Sequence, residues 1–207
     1  MSKVSEEMNT NTVTDVDTAA EVSTAADIST APKVKAATIW LDGCSGCHMS
    51  FLDMDERLVE LLQRIDLLYS PLVDHKDFPE MVDVTLVEGA VSSHEDLEKI
   101  KKVRKHTKIL VSLGDCAITA NVPSMRNPFG VDAIMKHAYI DTAVTKDIIP
   151  NEVVPELFEF SRPVHNFVKV DLFLQGCPPP ADAIYFLLTE LLEGRTPDLT
   201  KVSRLGK

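Results

Sequence analysis

Short apolar runs alternate with amphipathic segments along most of the chain, and each apolar run ends at a turn that contains glycine. Runs of this length bounded by turn residues are typical of buried strands. We expect strands over residues 36–41, 82–87, 108–113 and 167–174. The turns after them contain Gly43, Gly89, Gly114 and Gly176 in that order. The pattern therefore predicts a sheet whose strands are separated by other elements.

Between the strands, apolar residues recur at helical spacing. One helix is expected over residues 54–65, introduced by Ser50 and Asp53 in the spacing of a capping box. A second helix opens with Ser93 and Asp96 and runs from acidic to basic residues. That charge order is favoured by the helix dipole.

The remaining helices complete the pattern. A short helix is expected near residues 131–139, and a strongly apolar one over residues 181–193 is ended by Gly194. A strand, a helix and a strand in succession form a βαβ unit with parallel strands and a right-handed crossover. We therefore predict an α/β fold over residues 36–207, a doubly wound parallel sheet that is flavodoxin-like.

The first 35 residues have a different composition. Residues 1–35 contain no glycine and no aromatic side chain, and Ser, Thr, Ala, Glu and Asp dominate. Such a segment buries too little apolar surface to offset the entropy lost on ordering. We expect residues 1–35 to form a flexible acidic tail.

Charge and hydropathy exclude several partner classes. The formal net charge is −11, which disfavours nucleic acid and anionic membrane surfaces because both attract basic patches. No apolar stretch approaches the length of a membrane span, and the amino terminus has no export signal. The sequence thus indicates a cytoplasmic protein, in which clustered cysteines bind metal or do redox work more often than they form disulfides.

Each cysteine, or cysteine pair, directly follows a predicted strand. Cys44 and Cys47 follow the first, Cys116 the third, and Cys177 the last. In an open parallel sheet the carboxyl ends of the strands share one edge, where ligands bind. Four thiolates suit one [4Fe–4S] cluster, and no cysteine is left over. We therefore expect these four residues to be the ligands of a single cluster.

Other interpretations of the cysteines remain open. The pair Cys44 and Cys47 could be a thioredoxin-type redox motif, although that leaves the other two cysteines unexplained. A four-cysteine zinc site usually uses two close pairs, whereas Cys116 and Cys177 stand alone. The cysteines could also be buried structural thiols, but that interpretation gives no reason for each of them to follow a predicted strand.

Few other motifs carry chemistry. His48 beside the first cysteine pair and His165 before the last strand are expected to be core or supporting groups, because the histidines are scattered. The sequence has no glycine-rich dinucleotide motif and no Walker A motif. It also shows no catalytic residue set, so chemistry beyond electron transfer is assigned to a partner.

Four segments resemble the small hydrogenase subunit of NAD-reducing bidirectional [NiFe] hydrogenases, and the resemblance spans about residues 36–195. The segments are residues 43–56 (GCSGCHMSFLDMDE), 86–89 (LVEG), 114–117 (GDCA) with 121–127 (NVPSMRN), and 176–179 (GCPP).

The resemblance implies a role for the chain and a set of partners. In that family the small subunit carries the cluster proximal to a Ni–Fe site on a separate large subunit. The pair docks onto a diaphorase with flavin and iron–sulfur groups that reduces NAD⁺. Cys44, Cys47, Cys116 and Cys177 would then hold the proximal cluster. Some relatives also have a second flavin near this domain, so the resemblance makes FMN a candidate second cofactor. No motif in the sequence shows whether this chain binds it.

Two alternatives compete with this interpretation. The quinone-side iron–sulfur subunit of complex I is similar in fold, but that family uses adjacent cysteines, whereas two residues separate Cys44 from Cys47. A non-redox scaffold that binds zinc through the four cysteines is the alternative from another functional class. A brown colour would distinguish a cluster from zinc.

Overall fold

A computed structural model of the chain describes residues 32–144 and 148–202. Most of the tail expected over residues 1–35 therefore lies outside the described residues. The first strand already begins at Val34, before the expected start of the domain at residue 36. Among the described residues, no helix combines the length and apolar character needed to cross a bilayer.

Strands and helices alternate through the described chain. The strands are β1 Val34–Trp40, β2 Ile65–Tyr69, β3 Val82–Glu88, β4 Val91–Ser93, β5 Thr107–Leu113, β6 Leu157–Arg162 and β7 Leu172–Leu174. The α-helices are α1 Gly46–Leu52, α2 Glu56–Arg64, α3 His94–Lys105, α4 Asp115–Thr119, α5 Val131–Lys136 and α6 Ala181–Leu192. A π-helical turn, His137–Asp141, follows α5, and short 3-10 turns cover Pro123–Arg126, Val164–Asn166 and Leu199–Lys201.

The central sheet has the strand order β2-β1-β3-β5-β7, and every neighbouring pair in it is parallel. When β4 and β6, which lie outside this sheet, are left out of the numbering, this is the strand order 2-1-3-4-5 of the flavodoxin-like doubly wound fold. Strands β4 and β6 form a separate antiparallel pair. The predicted α/β class is therefore confirmed.

Two apolar layers cover the two faces of the sheet. On one face, Phe51 of α1, Leu61 of α2 and Leu187 of α6 pack against the strands. On the other face, Ile100 of α3 and Ala117 of α4 do the same. Helices on both faces explain why β3 and β5 are buried almost throughout, as central parallel strands are.

The two predicted capping boxes have different outcomes. Ser93 accepts a hydrogen bond from the backbone N–H of Asp96, whose side chain accepts from the backbone N–H of Ser93 in return, so that box is confirmed. The box expected from Ser50 and Asp53 is wrong. Ser50 lies inside α1, because the helix already begins at Gly46, and Asp53 ends it.

Some strand boundaries also differ from the prediction. The strand expected over residues 167–174 is limited to Leu172–Leu174, because the carboxylate of Asp171 takes part in the strand pairing just before it. Asp171 Oδ2 accepts from Leu110 N at 2.9 Å, and Asp171 N donates to Leu110 O at 2.9 Å. Strands β2, β4 and β6 had no counterpart in the prediction.

Candidate metal centre

The four cysteines lie on the loops and first helical turns that follow three strands of the central sheet. Cys44 and Cys47 come after β1, with Cys47 in the first turn of α1. Cys116 lies in α4 directly after β5, and Cys177 follows β7. Because β1, β5 and β7 run in the same direction in one sheet, all four positions belong to its carboxyl edge.

The thiols are close enough to influence one another. Burial raises the pKa of the Cys47 thiol most, followed by the charge of Glu88 and then those of Cys116, Cys44 and Cys177. Burial also raises the pKa of Cys116; a backbone hydrogen bond from Val122 lowers it, and the charges of Cys177 and Cys44 raise it. All four cysteines are free thiols; Cys44 and Cys177 are exposed, and Cys47 and Cys116 are buried.

These raised pKa values fit a metal-binding donor set. A buried thiol among other thiols keeps its proton unless a positive charge compensates the thiolate. A metal ion supplies that charge and deprotonates the thiols it binds. The donor set is therefore suited to a metal centre that binds thiolates, whether iron or zinc.

Gly114 leaves the room that the Cys47 sulfur occupies. A Cβ atom at Gly114 would lie 2.3 Å from Cys47 Sγ, and its φ of +80° is one that L side chains rarely adopt. Gly46 stands in a looser contact, where a Cβ would meet Cys44 Sγ at 3.2 Å. The glycine that precedes Asp115 and Cys116 thus brings the loop after β5 against the cysteine pair after β1.

Hydrogen bonds join the three cysteine loops. Gly114 N donates to Leu174 O at 2.8 Å, and Asp115 N donates to Gly176 O at 2.9 Å. Asp115 Oδ1 accepts from Gly176 N at 2.9 Å, so the loops after β5 and β7 are linked in both directions. From α1, Ser50 Oγ donates to Pro179 O at 2.5 Å. The peptide bond between Cys177 and Pro178 is cis.

A buried carboxylate lies beneath the cysteine pair. Glu88, at the end of β3, is 2% exposed. Its Oε1 accepts from Cys47 N at 3.3 Å and its Oε2 from His48 N at 2.9 Å. The His48 ring pairs with Glu88 through Nδ1 and with Thr38 Oγ1 through Nε2, the latter at 2.9 Å. Glu88 therefore fixes the first turn of α1 from below.

Sequence reasoning did not single out Glu88 as a functional residue, although a signal existed. A glutamate directly after the four apolar or β-branched residues 84–87 of a central strand is unusual, since charged residues are rarely buried unless paired. The expectation for His48 as a supporting group agrees with its buried contacts. His165 is exposed and packs edge-on against Phe173 at 5.8 Å between ring centroids.

A second side chain contacts a cysteine from the solvent side. Asn121 Nδ2 donates to Cys177 Sγ at 3.4 Å. Asn121 is on the segment after α4, the same segment whose Val122 backbone bonds Cys116. This segment therefore contacts two of the four thiols, which the sequence pattern did not predict.

Within residues 32–144 and 148–202, no group of three or more His, Cys, Asp or Glu side chains converges closely enough to hold a single metal ion. A zinc ion needs four donors about 2.3 Å from one point. In a cubane cluster the four thiolates bind different iron atoms. The sulfur atoms therefore lie farther apart in a cluster site than around a single zinc ion.

Exposed apolar side chains occur on the same segments as the cysteines. Met49 of α1 is 59% exposed, and Met125 and Phe129 after α4 are each 69% exposed. Trp40 at the end of β1 is also exposed, with its Nε1 donating to Gly43 O at 3.3 Å. Large exposed apolar groups around one edge are typical of a protein–protein contact.

A comparison with protein families matches residues 44–191 to the family described as NADH ubiquinone oxidoreductase, 20 Kd subunit. The match begins at the first cysteine and includes the last one.

Individual relatives point to hydrogenases. The chain is 44% identical over 172 residues to the delta subunit of the NAD-reducing hydrogenase HoxS of Cupriavidus necator, covering 81% of this chain and 82% of that subunit. It is 37% identical over 172 residues to one subunit of the vhu F420-non-reducing hydrogenase of Methanocaldococcus jannaschii, where the match spans 82% of this chain but only 60% of the relative.

A solved structure shows the same fold. A chain of an NAD⁺-reducing [NiFe]-hydrogenase in the H₂-reduced state superimposes with a TM-score of 0.80 at 37% sequence identity. The superposition covers 84% of this chain and 99% of that chain.

Proposed function

The chain belongs to the family described as NADH ubiquinone oxidoreductase, 20 Kd subunit, and within that family we propose that it is the small, electron-transfer subunit of a cytoplasmic NAD-reducing [NiFe] hydrogenase. In this proposal Cys44, Cys47, Cys116 and Cys177 hold one [4Fe–4S] cluster. The observation that carries it is the position of four free cysteines after parallel strands at the same carboxyl edge of the sheet. The 44% identity to the delta subunit of HoxS supports the assignment to this kind of hydrogenase.

When bound, the cluster supplies one-electron transfer. The residues of this chain hold it and shape its surroundings. Cys47 and Cys116 are buried, whereas Cys44 and Cys177 are exposed at the surface of the chain. A cluster held by two buried and two exposed cysteines would lie between the core and the surface of the chain. That position would suit exchange of electrons with a partner bound at this edge.

The exposed apolar groups on the segments that contain the cysteines support a partner on this edge. We assign Met49, Met125 and Phe129 to the contact with a large subunit that holds the Ni–Fe site. A diaphorase with flavin and iron–sulfur groups is the second partner, and NAD⁺ is reduced there. The electrons from H₂ thus pass through this chain on the way to NAD⁺.

The family description by itself also fits a quinone-side subunit of complex I. Two residues separate Cys44 from Cys47, whereas the complex I family is expected to have adjacent cysteines at this place. The relatives described above are hydrogenase subunits. We therefore favour the hydrogenase.

The proposal predicts activity only in the presence of the large subunit. All four cysteines are assigned to the cluster, so none remains to bind nickel. We expect the purified chain alone to give no H₂-dependent dye reduction and its complex with the large subunit to give such activity. H₂-dependent reduction of a viologen dye, measured anaerobically on both samples, is the test. Activity from the nickel-free chain, or an inactive complex that contains nickel and iron, would refute the proposal.

A further inference from the structure

Two side chains that are not themselves cluster ligands contact the cysteines from opposite sides. Glu88 lies beneath Cys47 in the core, and Asn121 lies beside Cys177 near the surface. One is a carboxylate, which disfavours added negative charge on the thiolates beside it. The other is an amide donor, which favours added negative charge. We propose that Glu88 lowers and Asn121 raises the reduction potential of the iron–sulfur centre. This inference rests on the proposed function.

The case for Glu88 begins with its burial. Its carboxylate is 2% exposed and accepts hydrogen bonds from the backbone of Cys47 and His48, at 3.3 Å and 2.9 Å. The Nδ1 atom of the His48 ring pairs with the same carboxylate. A buried charge is poorly screened, so it acts on its neighbours more strongly than a surface charge does.

The carboxylate is held directly against the cysteine loop, because its Oε1 accepts from the backbone N–H of Cys47. A negative charge at this place disfavours an added electron on the centre that the cysteines hold. Glu88 should therefore make the centre harder to reduce.

The case for Asn121 is the hydrogen bond itself. Its Nδ2 donates to Cys177 Sγ at 3.4 Å, within reach for a bond to sulfur. A donor to a ligand sulfur stabilises the more negative, reduced state and raises the potential. Cys177 is one of the two exposed thiols, so Asn121 acts on the solvent side of the site.

A purely structural role for both residues is the competing explanation. Glu88 pins the first turn of α1, and Asn121 lies in a turn where Ser124 Oγ donates to Asn121 O at 2.8 Å. Such a role would change cluster content or stability without a consistent change of potential. Only a role in tuning predicts potential shifts of opposite sign.

The test is a redox titration, monitored by electron paramagnetic resonance, of the complex between this chain and the large subunit. Glu88→Gln keeps the shape and removes the charge, and Asn121→Leu removes the donor. Asp53→Asn is the control, since Asp53 is an exposed carboxylate just after α1. We expect a positive shift for Glu88→Gln, a negative shift for Asn121→Leu, and a smaller shift than either for the control.

Iron and acid-labile sulfide, measured on each sample, separate the two hypotheses. If the wild-type complex contains no cluster, the proposed function and this inference both fail. If the cluster is present but the two potentials do not move, or move in the same direction, the inference alone is overturned. Loss of iron from Glu88→Gln would make Glu88 a structural residue and overturn its assignment.

Discussion

Replacing Cys177 by alanine is expected to abolish both the cubane cluster and electron transfer. Cys177 is exposed and follows β7, so its loss removes one ligand without opening a cavity in the core. Loss of a residue that only supports a metal ligand costs about 10–100-fold in metal affinity or activity. Loss of a ligand should therefore lower H₂-dependent dye reduction by more than about 100-fold. Iron content, sulfide content and dye reduction by the complex with the large subunit measure the effect.

The control for this experiment is Val122→Ala. Val122 is exposed on the same edge, and its backbone N–H, which bonds Cys116, is unchanged by the substitution. We expect Val122→Ala to keep its iron and most of its activity. A Cys177→Ala variant with the iron, sulfide and spectrum of the wild type would remove Cys177 from the ligand set.

Replacing Gly114 by alanine is expected to destabilise the fold and expel the cluster. Gly114 has φ +80° and ψ 165°, a region open almost only to glycine, which costs about 1–3 kcal/mol for other residues. The added Cβ would also lie 2.3 Å from Cys47 Sγ, and overpacking of this kind costs about 1–3 kcal/mol more. The free energy of unfolding should fall by about 2–6 kcal/mol. Chemical denaturation and iron analysis measure the two effects.

Gly130→Ala is a matched control. Gly130 has nearly the same backbone conformation, φ 78° and ψ 161°. A Cβ there would meet only the end of the flexible Glu159 side chain, at 3.0 Å. Gly130→Ala should lower the free energy of unfolding only by the cost of the backbone conformation, and the variant should keep its cluster. If the two variants retained the same amount of iron, close contact between Gly114 and Cys47 would have no part in forming the site.

The edge on which the cysteines meet could be predicted because it depends on topology alone. Once β1, β5 and β7 are recognised as parallel strands, the residues that follow them must share one edge. The apolar runs and the glycines after them identify these strands in the sequence. The position of the cysteines therefore required no knowledge of side-chain packing.

The strands that the prediction missed have no clear local signal in the sequence, such as a bounding turn residue or a strong apolar alternation. Strand β2 follows α2 with no turn residue between Arg64 and Ile65, and Ile65 fits the apolar face of the helix equally well. Strand β6 pairs only with the three-residue β4, so only one of its six residues is fully buried and the apolar alternation is weak. In both cases tertiary pairing, which a sequence pattern does not contain, decides the structure.

The groups around the thiols were missed for a similar reason. Glu88 and Asn121 are far from their cysteine partners in sequence, and their roles depend on contacts between β3 and α1 and between the loops after β5 and β7. The false capping box at Ser50 has the same origin. Helix α1 begins at Gly46 and places Ser50 inside, where its hydroxyl bonds Pro179 O instead of a helix N–H.

The central claim is that Cys44, Cys47, Cys116 and Cys177 hold one [4Fe–4S] cluster. The most direct test is the acid-labile sulfide content of this chain when purified anaerobically with the large subunit and without the diaphorase. Sulfide comes only from the cluster, whereas iron is also expected at the Ni–Fe site of the partner. We predict about four sulfides per chain, as in one cubane, and a brown protein. Zinc bound to the chain with no sulfide, or about two sulfides per chain, would contradict the account.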